Sequence, residues 1–269
     1  MGWLDGDVTT MALCWRLERR DGVGIGLTAH DRDLMIEGNL YRASPGMTPS
    51  AIERGDGSDP DSSDVEGAMS SRAISEADLL GGRWDGARVR LFAVDWSDVT
   101  HRVALGGGTI GAVETHDGAF SAELKSVAAM LDRPLSEETS PECRAELGDR
   151  RCRVRMAGRR RLVTVVAVED EAVTLDAAEP VPNGWGNGAL RWFDGANAGL
   201  EDAIVASTGA VVTLRTLPRF AVAPGDRAEV SEGCDKSIAT CADRFANVAN
   251  FRGEPYLPGI DLLTRYPGA

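Results

Sequence analysis

Long apolar runs are missing from this 269-residue sequence. No stretch approaches the roughly 18–20 residues that cross a membrane as a helix, so no membrane span is expected. The N-terminus, "MGWLDGDVTTMALCWRLERR", has no basic start followed by an apolar block and a small-residue cleavage site. It carries no secretory signal pattern, and folding in the cytoplasm is expected. Histidine is scarce: His30, His101 and His116 all sit in polar, turn-like places. A Cys–His or Ser–His catalytic pair therefore has little support. The glycine-rich "LGGGTIG" lacks the Lys-Ser/Thr of a phosphate loop, and there is no G-x-S-x-G. Positive charge is short, with a net charge of −13 and a pI near 4.7. Such a chain is poorly suited to gripping phosphate backbones. Long helical patterns are scarce too, whereas 31 glycines and 12 prolines favour strands joined by tight turns.

The strands can be read directly. Met11, Leu13 and Trp15 alternate with Ala12, Cys14 and Arg16, and "TTMALCWRLERRDGVGIGLTAHDRDLMIEGNLYRAS" reads as a β-meander. "GARVRLFAVDW" alternates again, and "GGGTIGAVETHDGAFSAELKSV" reads as a hairpin tipped by His116–Gly118. Ser75 caps a short helix that stops at Gly81 and Gly82, and "KSVAAMLDRPL" is a second short helix. Further on, "RLVTVVAVEDEAVTLD" is two strands around an acidic turn, with later turns at Gly195 and Gly209. Helical character returns at Ser237–Phe245. The reading is a mainly β, β-rich α+β protein: two small β domains with short helices and a C-terminal segment clamped by a four-cysteine site. Its expected parts are an N-terminal β-rich domain over 1–140, a Cys/Arg-rich connector over 141–160, a second β domain over 161–231 and a Cys-containing tail segment over 232–269.

Charge is unevenly spread. Residues 143–161 hold eight arginines against Glu146 and Asp149, a net +6. Residues 51–78 hold eight acids against Arg54 and Arg72 and read as a solvated loop or docking surface. Asp56, Asp59, Asp61 and Asp64 lack the ligand order of a calcium loop. His30, Asp31 and Asp33 read as a polar turn rather than a metal site. Trp185 and Trp192 read as packing residues.

Of five cysteines, Cys14 sits in an apolar strand and reads as a small buried hydrophobe. The others form two pairs, Cys143-x8-Cys152 and Cys234-x6-Cys241, separated by 81 residues. Two disulfides do not suit a chain without an export signal. A four-cysteine zinc site, an iron–sulfur cluster and unlinked structural thiols remain open, zinc usually taking shorter knuckles and a cluster tolerating wider spacing. In "RRCRVRM" a strand would put Arg151, Arg153 and Arg155 on one face and Cys152, Val154 and Met156 on the other, so guanidinium groups could offset thiolate charge. A helical reading puts Cys241, Phe245 and Val248 on one side, followed by Asn247 and Asn250 suited to side chain–backbone hydrogen bonds.

"GCDKSIATCADRFANVANFRGEPYLPG" resembles the C-terminal signature of phage-tail baseplate proteins. "TAHDRDLMIEGNLYRA", "AISEADLLGGRWDGARVRLFAVDW" and "PECRAELGDRRCRV" resemble the rest of that family, in the same order over nearly the whole chain. The family includes the baseplate hub proteins of gene transfer agents and is similar in role to the tail-tip protein L of phage lambda. The resemblance implies a structural, non-enzymatic subunit, assembled in the bacterial cytoplasm and carried in the baseplate of the released particle. It implies a homotrimer between the distal tail protein and the central tip or fibre (megatron-like) protein, near a tail-associated peptidase, with DNA passing by without specific binding. It also implies a [4Fe–4S] cluster on Cys143, Cys152, Cys234 and Cys241. Glu254 departs from the family, which often has an apolar or aromatic residue there. Two other readings of the same cysteines are an iron–sulfur redox enzyme, for which no acid–base pocket is found, and a zinc-binding module.

Overall fold

Alternating side chains build two separate β units in the computed structural model, which describes residues 10–43, 48–49, 62–68, 74–116, 119–126 and 136–257. The chain divides into Met1–Pro134 and Leu135–Ala269. The first unit holds β1 (Met11–Glu18), β2 (Gly24–Thr28), β3 (Leu34–Ile36), β4 (Asn39–Ala43), β5 (Thr48–Pro49), β6 (Ser62–Ala68), β7 (Arg88–Asp95), β8 (Arg102–His116) and β9 (Ala119–Ser126), with one helix, α1 (Glu76–Leu80). These strands form one nine-stranded sheet in the order β3-β4-β2-β1-β7-β8-β9-β6-β5.

The period-two pattern of β1 divides it between two cores. Trp15 and Leu17 enter one with Leu79, Trp84, Val89 and Leu91. Ala12 and Cys14 enter the other with Leu34, Ile36, Tyr41 and Val94. Cys14 is fully buried and donates to Thr28 Oγ1 at 3.4 Å, as a small core residue does. Helix α1 has the expected cap, Ser75 Oγ accepting the Asp78 N–H at 3.1 Å, and it ends at Gly81. The β8–β9 hairpin forms as expected. Its tip, and the helix expected in "KSVAAMLDRPL" beyond Ser126, lie outside the described residues.

Two expectations fail in this unit. The N-terminal strands are not a meander, because β4 lies between β3 and β2 and pairs with β2 in parallel. The acidic stretch is not loop throughout, because Ser62–Ala68 is a strand paired with β9. Its polar sequence has no apolar alternation, so pairing with a neighbour rather than local pattern makes it a strand.

The second unit is a closed antiparallel barrel of β10 (Arg160–Glu169), β11 (Ala172–Leu175), β14 (Val211–Leu214), β13 (Glu201–Thr208), β12 (Ala189–Trp192) and β15 (Arg227–Ser231), in that order. Register shifts at Val165/Ala167 in β10 and Ile204/Ala206 in β13 provide the bends that let six short strands close. Val163, Val165, Val173, Leu175, Leu190, Ile204, Val212, Leu214 and Val230 fill the interior with Trp185 and Trp192. Each such aliphatic side chain contributes about 1.5–3 kcal/mol by leaving water. The barrel is followed by α2 (Ile238–Asp243) and a 3-10 turn at Val248–Asn250.

Candidate metal centre

The four paired cysteines all lie in the second unit, on two segments that hydrogen-bond to each other. The Cys143 N–H donates to the Lys236 carbonyl at 2.9 Å, and the Arg144 N–H to the Arg252 carbonyl at 3.0 Å. Lys236 can offer that carbonyl because it takes a left-handed φ of 63°, while its Nζ donates to the Ala145 carbonyl at 2.6 Å and to Glu146 at 2.9 Å. Asn247 Nδ2 donates to the Cys152 carbonyl at 2.6 Å, and Asn250 Nδ2 to Asn247 Oδ1 at 2.7 Å. The asparagines thus serve the irregular chain as expected. These contacts join the two segments in the structure.

Cys152 does not lie on a strand. Residues 151–152 are a turn, and Arg153 has a φ of 63°. Asp149 makes this turn, its carboxylate accepting the N–H groups of Glu146 at 3.1 Å, Arg151 at 2.8 Å and Cys152 at 2.6 Å. Those bonds hold the Asp149 carboxyl below the usual range, chiefly through the Cys152 N–H. A short acceptor inside a Gly-Asp segment competes successfully with a sheet ladder.

Cys241 lies on α2, as its helical spacing suggested. Ser237 caps the helix by accepting the Thr240 N–H at 3.1 Å, and Asp235 braces the cap through the Ser237 N–H and the Thr240 hydroxyl. Cys241 is buried, although Val248, expected on the same side, is exposed because the chain leaves the α-helix before it. Arg244 pins the helix to the end of the barrel. It donates to the carbonyls of Gly233, at 3.1 Å, and Gly184, and to Glu232 at 2.9 Å. Buried Glu232 also accepts from Arg159 at 2.6 Å. Gly233, just before Cys234, is required for close approach: a Cβ there would stand 2.1 Å from backbone atoms of residues 186–188.

The thiols sense one another. Burial pushes the Cys241 thiol up, and Cys143, Cys234 and Cys152 each add to the rise. Burial also pushes Cys234 up, opposed by the Lys236 backbone N–H. The other three sulfurs therefore lie within electrostatic reach of Cys241. Two have N–H donors at hand: Arg252 N–H to Cys143 Sγ at 3.3 Å and Asn247 Nδ2 to Cys152 Sγ at 3.7 Å. Among the described residues, no three His, Cys, Asp or Glu form a group that could hold a single metal ion.

The sequence singles out Glu254 but not its partner. The Glu254 carboxylate takes Arg144 by both terminal nitrogens, at 2.6 and 2.8 Å, and the Ser140 N–H at 3.0 Å. Arg144 holds the Glu254 carboxyl down at about 2. Arg144 follows Cys143, so Glu254 ties its own segment to the Cys143 segment. An Arg-rich stretch facing an isolated Glu beyond the last cysteine was the available signal.

Three comparisons bear on this arrangement. Residues 2–155 match the family model "Baseplate hub protein, N-terminal attachment domain". Residues 183–261 match "Phage conserved hypothetical protein BR0599". A chain in the solved virion of a native gene transfer agent particle is 36% identical, with a TM-score of 0.86 over 99% of this chain and 94% of that one. No curated protein matches.

Proposed function

Because this chain belongs to the phage baseplate hub family, we propose that it is the hub subunit of a gene-transfer-agent-like tail, a trimer joining the distal tail tube to the central tip or fibre protein. The carrying observation is similarity over the full chain, both β units included, to a chain of a gene transfer agent virion. A structural role in a phage-like tail is what these relationships indicate. Contact with a tail-associated peptidase belongs to the same reading, as does passage of DNA along an acidic surface.

The proposal extends to a structural [4Fe–4S] cluster held by Cys143, Cys152, Cys234 and Cys241. The donor set supports it: four thiols from two hydrogen-bonded segments, two of them served by N–H donors that suit thiolates. Zinc, with Zn–S bonds of about 2.3 Å, is the alternative occupant of the same four thiols. A cluster supplies thiolate bonds from a wider body. Binding draws protons from Cys234 and Cys241, whose thiols burial otherwise keeps protonated. Asn247 orients the Cys152 turn, Lys236 joins the two segments, and Arg244 positions α2. Linking Cys152 to Cys234 closes a long loop between the two pairs, and loop-closure entropy for a link of that length is about 4.5 kcal/mol in the chain-entropy model.

Anaerobic purification tests the cluster. Brown protein with about four irons and matching sulfide per chain is expected, with loss of both in Cys241→Ser. Colourless protein holding one zinc would overturn the cluster. Wild-type chain missing from purified tails would overturn the hub role.

A further inference from the structure

One face of the first unit gathers arginines in a chain of net charge −13. Arg16 on β1 stands directly opposite Arg90 on β7, and Glu18 opposite Arg88. The row through Arg16 and Arg90 continues to Gly26 on one side and Gly107 on the other. Paired positions hold their Cβ atoms about 5 Å apart, and like charges set there repel. On the Gly26 side the Tyr41 ring fills the row, 2.8 Å from where a Cβ would stand, while Gly107 places no side chain beside Arg90. Arg16 lies across Gly24, where an added Cβ would stand 2.7 Å from its guanidinium. Arg20 lies against Gly86 in the same way, at 2.5 Å. Arg20, Arg88, Glu18 and Arg19 line a hollow of about 300 Å³ beside this row.

The guanidinium groups of Arg16, Arg20, Arg88 and Arg90 make no ion pair or side-chain hydrogen bond among the described residues, and the last three residues are exposed. Arg19, by contrast, is taken by Asp21 at 2.5 Å and by the Trp84 ring. Four unpaired arginines around one glutamate, two of them in direct opposition, make a face complementary to carboxylates.

We infer that this face docks an acidic segment, rich in Asp or Glu, of a neighbouring tail protein. The inference rests on the hub reading and identifies the chemistry by which the attachment domain holds its partner. Nucleic acid is the poorer fit. DNA carries a charge about every 1.7 Å, and a chain of net −13 repels it as a whole. A protein can offer a few carboxylates on an otherwise uncharged surface.

Fluorescence anisotropy of the full chain with labelled octaglutamate, octaglutamine and a short DNA duplex tests this. Octaglutamate should bind, more weakly as salt rises, and octaglutamine should not. Arg16→Gln/Arg90→Gln should weaken octaglutamate binding at least about tenfold. The melting temperature of that variant should hold or rise, because a repulsive pair is gone. A fall in melting temperature would make the arginines structural and overturn the inference. So would equal peptide binding by variant and wild type, no binding at low salt, or preference for the duplex through these arginines. Arg20→Gln/Arg88→Gln repeats the binding test outside the opposed pair, with the same outcomes expected. Tail incorporation separates the two readings. Wild type absent from tails fails the hub role, whereas wild type and Arg16→Gln/Arg90→Gln present equally fails this inference alone.

Discussion

Replacing Arg244 with methionine removes the pin between α2 and the barrel while keeping most of the aliphatic volume. The lost contacts are the 2.9 Å bond to Glu232, the 3.1 Å bond to the Gly233 carbonyl and the bond to the Gly184 carbonyl. The guanidinium also leaves the Phe245 ring, 5.0 Å away. Hydrogen bonds from a charged group contribute about 1.5–3 kcal/mol each, but they do not add in full here. Glu232 keeps Arg159, and the Gly184 carbonyl keeps the Gly233 N–H. The expected net cost is about 3 kcal/mol, or roughly 10 °C in the transition of a unit this size. Hydrogen exchange read by mass spectrometry separates the units: protection should fall across residues 136–257 and stay unchanged in the described residues before 127. Arg244→Lys keeps the charge but not the planar fork, and should recover about half of the loss. The mechanism fails if Arg244→Met lies within about 0.5 kcal/mol of wild type, the ordinary range for a surface change. It also fails if both units loosen equally.

Asp95 accepts the Ser97 hydroxyl at 2.6 Å, the Ser97 N–H at 2.9 Å and the Thr10 hydroxyl, which together hold its carboxyl at about 2. Its unfolded value is about 3.9, so the unfolded chain takes the proton first as pH falls. This contribution is complete above about pH 5 and disappears towards pH 2. Urea midpoints should show Asp95→Asn less stable at neutral pH, with a smaller loss on acidification than wild type; parallel pH curves would contradict the assignment. In the barrel, Trp192 Nε1 donates to Asp202 at 2.6 Å, and burial pushes the Asp202 carboxyl up. Trp192→Phe strands that acceptor and should cost about 1–3 kcal/mol in denaturant unfolding, a cost Asp202→Asn on the same background should not deepen.

Local signals in the sequence were read correctly where one element carries its own instructions. The alternation in Met11–Glu18 and Arg88–Asp95 made strands because their faces serve buried cores. Ser75 and Ser237 marked helix starts because a hydroxyl satisfies a free N–H within the same turn. Cys152 was misread because Arg/apolar alternation resembles a strand, whereas the Asp149 carboxylate competes for the same N–H groups. The role of Glu254 is not legible locally because its partner lies 110 residues earlier in the chain.

Composition and order thus determined the β class, the turns, the helix caps, the two cysteine pairs and the family, since each depends on residues close together or on ordered motifs. Tertiary structure decided the rest. It placed β4 between β3 and β2 and closed six strands into a barrel. It bonded the Cys143–Cys152 segment to the segment that begins at Cys234. It also set Arg16 against Arg90, an unfavourable pairing that no local propensity would select. Strand order, closure and register are sums of many long-range contacts, so their energies do not reside in any short stretch of the chain.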